Sequence, residues 1–338
     1  MDVIDAIGNT PLIELKRVAA GLPVKVFIKC EHQNPGGSVK DRTARAIVLD
    51  AEERGLLTPG ATMIEGTAGN TGVGLALLAS ARGYRLICVL PEKMAFDKRI
   101  ALRQLGSEII ITPNGPLSAP HNFRTLAARL AEQNGWFLTN QFHNPANLGA
   151  HYGTAKYKGT GEEILEQIQQ AGYEQPGAFV CSSGTGGTIS GAGRRMKEKS
   201  PSIQVVLADP QGSSIASWVN TGVLGPDGPS LIEGIGSGSI PGNLQRQWLD
   251  SAETVSDAEA FAMVERLVKE EGLTVGGSTG VNVVAALRVA ARGNLDGPVV
   301  TIAADQWDRY KSTSWMKAWM DREAGTITVQ DKEGNRVS

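Results

Sequence analysis

Asn34-Pro35-Gly36-Gly37-Ser38-Val39-Lys40-Asp41-Arg42 places one lysine at the start of a helix, directly behind a turn too sharp for most residues. Pro35 fixes its own φ, and Gly36 and Gly37 are free to take the positive φ values that a close approach to a ligand often demands. Ser38 offers an N-cap oxygen, and Val39, Ala44, Ala46, Ile47, Val48 and Ala51 supply an apolar face at helical spacing. Lys40 then falls in the first turn, where the helix dipole disfavours a positive charge. That position biases it toward the neutral amine, the form Schiff-base chemistry needs. A solvated surface lysine beside Asp41 is the other reading, and the local residues leave both open.

Outward from this turn, Val24 to Lys29 alternates and is β-rich, a strand entering the lysine turn, and Gly8 to Leu12 forms a turn into Leu12–Leu15. A strand–helix pattern then repeats. Met63–Glu65, Leu86–Leu90, Glu108–Thr112 and Trp136–Thr139 read as strands, and Thr71–Arg82, Ala95–Leu105 and Phe123–Glu132 as helices. Asn144 to Gln169 reads as mostly helical, interrupted at Gly159 and Gly161. The alternation resumes with strand Ala178–Cys181, helix Thr188–Lys199, strand Gln204–Ala208, helices Asp257–Glu270 and Val281–Ala291, and strand Val299–Ala303. Strands alternating with helices predict parallel sheets covered on both faces, here as two α/β units with a glycine-rich cleft between them. Beyond Trp319 the tail is polar, with Thr326–Val329 and Asn335–Val337 as a small edge hairpin or a fraying end.

The bulk properties narrow the partners. A chain of 338 residues with 41% hydrophobic content holds one large domain or two ordinary ones without staples. Lys and Arg total 33 against 35 Asp and Glu, so no global field favours nucleic acid or an anionic membrane. Cys30, Cys88 and Cys181 are odd in number and widely spaced, which suits reduced thiols rather than a disulfide framework. His32, His121, His143 and His151 show no zinc-ligand spacing with them, so no metal is expected. The N-terminus is acidic where a leader needs basic residues, and no apolar run reaches the ~18 residues of a membrane span. The expectation is a soluble cytoplasmic protein.

The 41 glycines cluster at the ends of apolar segments. Ser182-Ser183-Gly184-Thr185-Gly186-Gly187-Thr188 lies between strand and helix, where backbone N–H groups converge and a helix N-terminus attracts phosphate. It lacks the lysine of a nucleotide-triphosphate loop, and no G-x-G-x-x-G precedes an acidic residue by ~20 positions, so a single small phosphate is favoured over a nucleotide. A tight turn with no ligand is the alternative. Gly66-Thr67-Ala68-Gly69-Asn70-Thr71-Gly72 has the same placement and suits a carboxylate, or else a simple helix cap. Gly276-Gly277-Ser278-Thr279-Gly280 reads most simply as an N-cap through Ser278 or Thr279, with a hydroxyl facing a neutral ring nitrogen as a second use.

These motifs, with Glu233-Gly234-Ile235-Gly236 between the last two, occur in an order that resembles the cysteine synthase and cystathionine β-synthase family of pyridoxal-phosphate enzymes, from about Ile7 to about Ser314. The resemblance implies the tryptophan synthase β-like fold (fold type II), two domains of mostly parallel twisted sheets flanked by helices, with the cofactor in the cleft between them. It divides the chain into a large cofactor-binding domain (1–40 and 142–315), a smaller mobile substrate-binding domain (41–141) and a C-terminal tail (316–338). It implies that Lys40 forms the internal aldimine and that Gly184, Thr185, Gly186, Gly187 and Thr188 hold the phosphate. Asn70 then meets the ring hydroxyl, and Ser278 meets the pyridine nitrogen; a serine there leaves the ring unprotonated, suited to β-elimination and replacement. Thr67, Ala68, Gly69, Asn70 and Thr71 match the substrate-carboxylate loop, completed by Gln141, with Gly234 also at the substrate.

The reaction so implied is β-replacement on an activated serine such as O-acetylserine, through an α-aminoacrylate, with sulfide as acceptor to give L-cysteine. A homodimer and an association with serine acetyltransferase come with the resemblance. The alternative keeps the cofactor and changes the acceptor, to homocysteine or another nucleophile giving a specialised β-substituted alanine. A non-catalytic binding protein on the same fold is a third reading, against which Lys40 and the glycine cup both argue. Two departures bear on substrate choice: Ala68 stands where the family has serine, and the chain is about four residues longer near Ala155-Lys156-Tyr157-Lys158.

Overall fold

The computed structural model describes residues 2–67, 69–92, 94, 96–325, 329–330 and 336–337. Along the chain run β1 (Leu12–Glu14), β2 (Val26–Lys29), α1 (Lys40–Glu53), β3 (Thr62–Gly66), α2 (Asn70–Arg82), β4 (Arg85–Pro91), α3 (Phe96–Gln104), β5 (Glu108–Thr112), α4 (Phe123–Asn134) and β6 (Phe137–Leu138). Then follow α5 (Ala146–Tyr152), α6 (Thr160–Gln170), β7 (Ala178–Ser182), α7 (Gly187–Lys199), β8 (Gln204–Pro210), α8 (Ile215–Thr221), β9 (Ser251–Val255), α9 (Asp257–Arg266), α10 (Gly277–Ala291), β10 (Val299–Ile302) and α11 (Ser314–Ala324).

Two sheets result. The larger has the order β1-β2-β10-β7-β8-β9, parallel throughout except for the antiparallel edge pair β1–β2. The smaller, β5-β4-β3-β6, is all parallel. Parallel strands need crossovers, and the intervening helices cover both faces. Side-chain alternation sorts the cores. Val26, Ile28, Val180, Val206 and Val299 pack with α9 and α10 on one face of the large sheet, while Phe27, Phe179, Val205, Leu207 and Val300 pack with α6 and α7 on the other. In the small sheet Met63, Leu86, Cys88 and Leu90 face α1 and α2, and Ile64, Ile87 and Val89 face α4. Each such residue is essentially sealed from water, worth about 1.5–3 kcal/mol per large side chain. The three cysteines are free and buried, as expected.

The sequence reading departs from the structure where the local signal is weak. The stretch 144–169 is two helices, because Gly153 takes φ 104° and a Cβ on Gly159 would sit 2.3 Å from the Gly153 nitrogen. The extra residues lie in that break. Thr154 bridges Tyr157, whose ring lies 4.4 Å from the Arg45 guanidinium of α1. α9 ends at Arg266 and widens into a single π-turn over Leu267–Glu271. β9, α8 and α11 were not anticipated: β9 is a half-exposed edge strand, α8 has 7 residues, and α11 docks through Met316 and Trp319 beside Val264 and Tyr310. Val329–Gln330 pairs antiparallel with Arg336–Val337, in line with the expected hairpin; residues 326–328 and 331–335 lie outside the described residues. Among the described residues no helix is long and apolar enough to cross a membrane, and no side-chain group is arranged to hold a metal.

The chemistry-bearing loops all leave the C-terminal ends of parallel strands. The lysine turn follows β2, Thr67–Gly69 follows β3, Ser183–Gly186 follows β7, and Ala303–Gln306 follows β10. This is the edge at which open α/β sheets bind ligands.

Candidate active site

The lysine turn is built around Asp41. Its Oδ2 accepts the Gly36 N–H at 2.5 Å, and a Cβ on Gly36 would meet Asp41 Oδ1 at 2.5 Å and Leu77 Cδ1 at 2.6 Å, so crowding rather than φ requires this glycine. Gly37 is the one that takes a left-handed φ, of 75°. The N-cap position is Val39, with no side-chain cap; Ser38 sits one residue too early, and its Oγ accepts the Lys40 N–H at 3.2 Å. Lys40 is half-buried. Burial is the chief cause lowering its pKa, opposed by Cys181 and Asp305. Loss of water thus biases Lys40 toward the neutral amine, the direction expected from its place in the first helical turn.

Two residues on, Arg42 fixes α1. Its guanidinium grips Glu31 (Nε–Oε2 2.7 Å, Nη2–Oε1 2.8 Å) and Glu163 (Nη1–Oε1 2.7 Å, Nη2–Oε2 2.6 Å). Lys29 Nζ completes the cluster, donating to Glu163 at 2.7 Å, Gln167 at 2.8 Å and the Thr10 carbonyl at 2.6 Å. Burial opposes the charge on Glu163, but the hydrogen bonds and charge of Arg42, with Lys29, outweigh it and hold the carboxyl at about 2. Glu31 and Glu163 likewise raise Arg42 against its burial. Two cations and two anions in direct hydrogen-bonded contact form a rigid mount for the helix that begins at Lys40.

Across the cleft, the loop from Ser183 enters the 13-residue α7. A Cβ on Gly184 would lie 2.2 Å from the Gly234 carbonyl, one on Gly187 2.1 Å from Asn147 Oδ1, and Gly186 has φ 87°. Among the described residues, the N–H groups of Gly184, Thr185, Gly186, Gly187 and Thr188 have no hydrogen-bond acceptor outside the helix. Five donors therefore converge at a helix N-terminus. Asn147 on α5 ties this loop to its surroundings: Nδ2 donates to Thr185 Oγ1 (2.9 Å) and to the Gln141 carbonyl (2.8 Å), and Oδ1 accepts from Thr43 Oγ1 (3.2 Å). Behind it, buried His151 contacts Thr188 Oγ1 at 3.1 Å and Thr160 Oγ1 at 2.9 Å, its pKa well lowered by burial and by Arg42 and Lys40.

The third side is the loop after β3. Thr67 Oγ1 accepts the Gly69 N–H at 3.3 Å, and Thr71 Oγ1 donates to Gln141 Oε1 at 2.5 Å. Asn70 Nδ2 donates to Asp305 Oδ2 at 2.6 Å while its Oδ1 accepts from Arg309, which also donates to the Gly36 carbonyl. Tyr310 donates to the same Asp305 oxygen at 2.5 Å, and Lys98 of α3 pairs with Glu233 while lying 4.7 Å from the Tyr310 ring. Ala68 lies outside the described residues. Gly234, with φ 84°, stands against the glycine cup and one residue from that Glu233 pair. Asp305, Arg309, Lys98, Asn147 and His151 had not been assigned site roles from sequence; each is linked to its motif only through space, 37 or more positions away, so no local signal marked it.

The residues fit the pyridoxal phosphate that the resemblance implies. Ser183 Oγ is buried without a partner beside the cup, Ser278 is buried at the start of α10 with a hydroxyl that bonds to no described protein group, and Asn70 Nδ2 keeps one hydrogen. A half-buried amine, a cup of five N–H groups and a free buried hydroxyl match an aldehyde, a phosphate and a ring nitrogen.

The sequence model of the pyridoxal-phosphate dependent enzymes matches residues 3–305. The chain is 43% identical to cysteine synthase 1 of Emericella nidulans over 94% of this chain and 85% of that one. Among solved structures, it is similar to O-ureido-L-serine synthase, with TM-score 0.84 and 34% identity over 94% of this chain and 98% of that one. The O-acetylserine dependent cystathionine β-synthase of Helicobacter pylori gives TM-score 0.82 and 36% identity over 92% and 97%.

Proposed function

The chain belongs to the pyridoxal-phosphate-dependent enzyme family, and from that premise we propose that it is a cysteine synthase, replacing the acetoxy group of O-acetylserine by sulfide. The observation that carries this is the half-buried Lys40, its amine depressed by burial and within electrostatic reach of Cys181 on β7, the strand that leads into the 184–188 cup. Gly184, Thr185, Gly186, Gly187 and Thr188 would hold the phosphate, Ser278 the ring nitrogen and Asn70 the ring hydroxyl. Pyridoxal phosphate, when bound, withdraws electrons from the amino acid's Cα, acidifying its hydrogen and easing departure of the β-substituent.

The chain's own residues do the rest. Lys40 Nζ would accept the α-proton; its depressed basicity favours the neutral amine that the task needs. Thr67, Gly69, Asn70 and Thr71, with Ala68, Gln141 and Gly234, bind and orient the substrate carboxylate, using backbone N–H groups where Ala68 offers no hydroxyl. In this reading residues 41–141 move as a unit over the body formed by 1–40 and 142–315, and the Lys98–Glu233 and Asn70–Asp305 contacts form on closure. The protein works in the cytoplasm as a homodimer, a partner of serine acetyltransferase; sedimentation and coelution measure both associations.

Purified wild type and Lys40→Ala are compared by visible absorbance and by product analysis with O-acetylserine and sulfide. Wild type shows the band of cofactor bound to lysine and makes cysteine; the variant loses both. A wild type without bound pyridoxal phosphate, or a variant that keeps the band, overturns the assignment. A second reading draws on the similarity to the O-acetylserine dependent cystathionine β-synthase of H. pylori. A panel of acceptors separates the two, since preference for homocysteine over sulfide selects the second.

A further inference from the structure

Glu65, the fourth residue of β3, is 3% exposed and points into the protein beneath the substrate loop. Its Oε1 accepts from Gln141 Nε2 at 3.1 Å and its Oε2 accepts from Thr139 Oγ1, while the backbone N–H groups of Asn140 and Gln141 also turn toward it. Asn140 has φ 48°, a left-handed conformation that only one other described non-glycine residue, Asn9, adopts. A turn bent this way directs successive N–H groups to one side, where they make an anion-binding concavity. The anion that fills it is a side chain of this chain. On the far side, Gln141 Oε1 accepts from Thr71.

We infer that Glu65 is a positioning residue for the amino-acid substrate, holding the left-handed Thr139–Gln141 turn and fixing which end of the Gln141 amide faces Thr71. The direction of donation follows from charge. An ionised carboxylate accepts only, so the NH₂ end of Gln141 must face Glu65 and the carbonyl end must face Thr71. A neutral group at position 65 removes that constraint, and the amide is free to turn over. The sequence reading reached Gln141 but not the carboxylate that aims it.

Burial pushes the Glu65 carboxyl up to about 7, with its hydrogen bonds to Thr139 and Gln141 pulling the other way. The other ionisable groups that face it are Arg124 of α4, which favours the anion, and the Cys88 thiol on the neighbouring strand β4, itself pushed up to about 12. The aiming is therefore present above about pH 7 and is lost as pH falls through that value.

The inference rests on the proposed substrate site, and its test reads binding separately from turnover. Calorimetry measures L-cysteine binding to the cofactor-loaded wild type, Glu65→Gln, Gln141→Ala and the double variant, at pH 6 and pH 8. Hydrogen bonds to a charged group are worth about 1.5–3 kcal/mol, so Glu65→Gln weakens binding by at least about tenfold at pH 8. Gln141→Ala does the same, and the double variant loses little more than either. Affinity falls more steeply between pH 8 and pH 6 in wild type than in Glu65→Gln, both sharing the fall that protonation of the cysteine amine imposes. The Lys40-bound absorbance band stays unchanged in all four proteins. Additive losses, or a Glu65→Gln variant with wild-type affinity and pH dependence, overturn the inference. Should Glu65→Gln fail to fold, Glu65→Asp, which keeps the charge but shortens the reach, must show weakened binding that retains its pH dependence. Absence of the band in wild type instead points to failure of the functional reading.

Discussion

Glu163→Gln exchanges one oxygen for an NH₂ group inside the buried cluster of Lys29, Glu31, Arg42 and Glu163, and the structure sets the size of the loss. Lys29, Glu31 and Arg42 side chains are 0% exposed and that of Glu163 is 6% exposed, so solvent screens little. The cluster is neutral as it stands; the substitution leaves one buried positive charge uncompensated and sets an amide donor against Arg42, Lys29 or the Asn9 N–H. A carboxyl held at about 2 rather than the ordinary 4.5 represents about 3 kcal/mol of preference for the ionised native form. Breaking buried pairs typically costs about 3–5 kcal/mol, the same size. That is a large part of the roughly 5–15 kcal/mol by which domains are stable.

Urea unfolding followed by intrinsic tryptophan fluorescence is the assay, run from pH 8 down to pH 3. Because the folded pKa is depressed, the Glu163 contribution is complete above pH 4.5 and disappears as pH falls toward 2. The midpoint of Glu163→Gln therefore lies well below that of wild type at neutral pH, and the two converge in acid. A variant within about 1 kcal/mol of wild type at pH 7, or a gap that does not shrink below pH 4.5, refutes the view that this charge network mounts α1.

Asn147→Ala removes the link from Thr185 to Gln141 and Thr43 and should weaken pyridoxal-phosphate binding about tenfold with the fold intact, as measured by titrating the apoprotein and following absorbance. Gly184→Ala places a methyl 2.2 Å from the Gly234 carbonyl, so the cup must open. Cofactor affinity then falls at least about a hundredfold while circular dichroism stays native, and a variant that binds normally shows that the loop yields more readily than its packing indicates.

Much of the fold was legible because its signals are local. Alternation over Val24–Lys29, the apolar run of β7 and the glycines that follow each place the lysine turn and the phosphate cup directly, since each is a strand, a loop and a helix contiguous in sequence. What escaped depends on separation. Arg42 and Glu163 are 121 positions apart, and Asn70 and Asp305 are 235 apart; nothing in either local pattern announces the partner. β9 was hidden because an edge strand needs few buried residues, and Ser251–Val255 buries only Val255. Lys40 shows a subtler gap. Its depressed basicity was anticipated from the helix dipole alone, and removal from water, which also lowers it, is a property of the whole fold.

Strand β2 lies between β1 and β10, and its register matches Val26 with Val299. On the ribosome, those two residues emerge 273 positions apart, and at roughly 5–20 residues per second the interval is about 15–55 s. Through that time the sequence Val26-Phe27-Ile28-Lys29 has only the three-residue β1 to pair with, although its side chains are destined for full burial. The small sheet, by contrast, draws all its strands from residues 62–138 and is complete long before. Synthesis thus delivers a finished small sheet while β2, the strand whose end leads to Lys40, still lacks β10, and the nascent chain's main exposure to chaperones and to misassembly falls on β2 until β10 arrives.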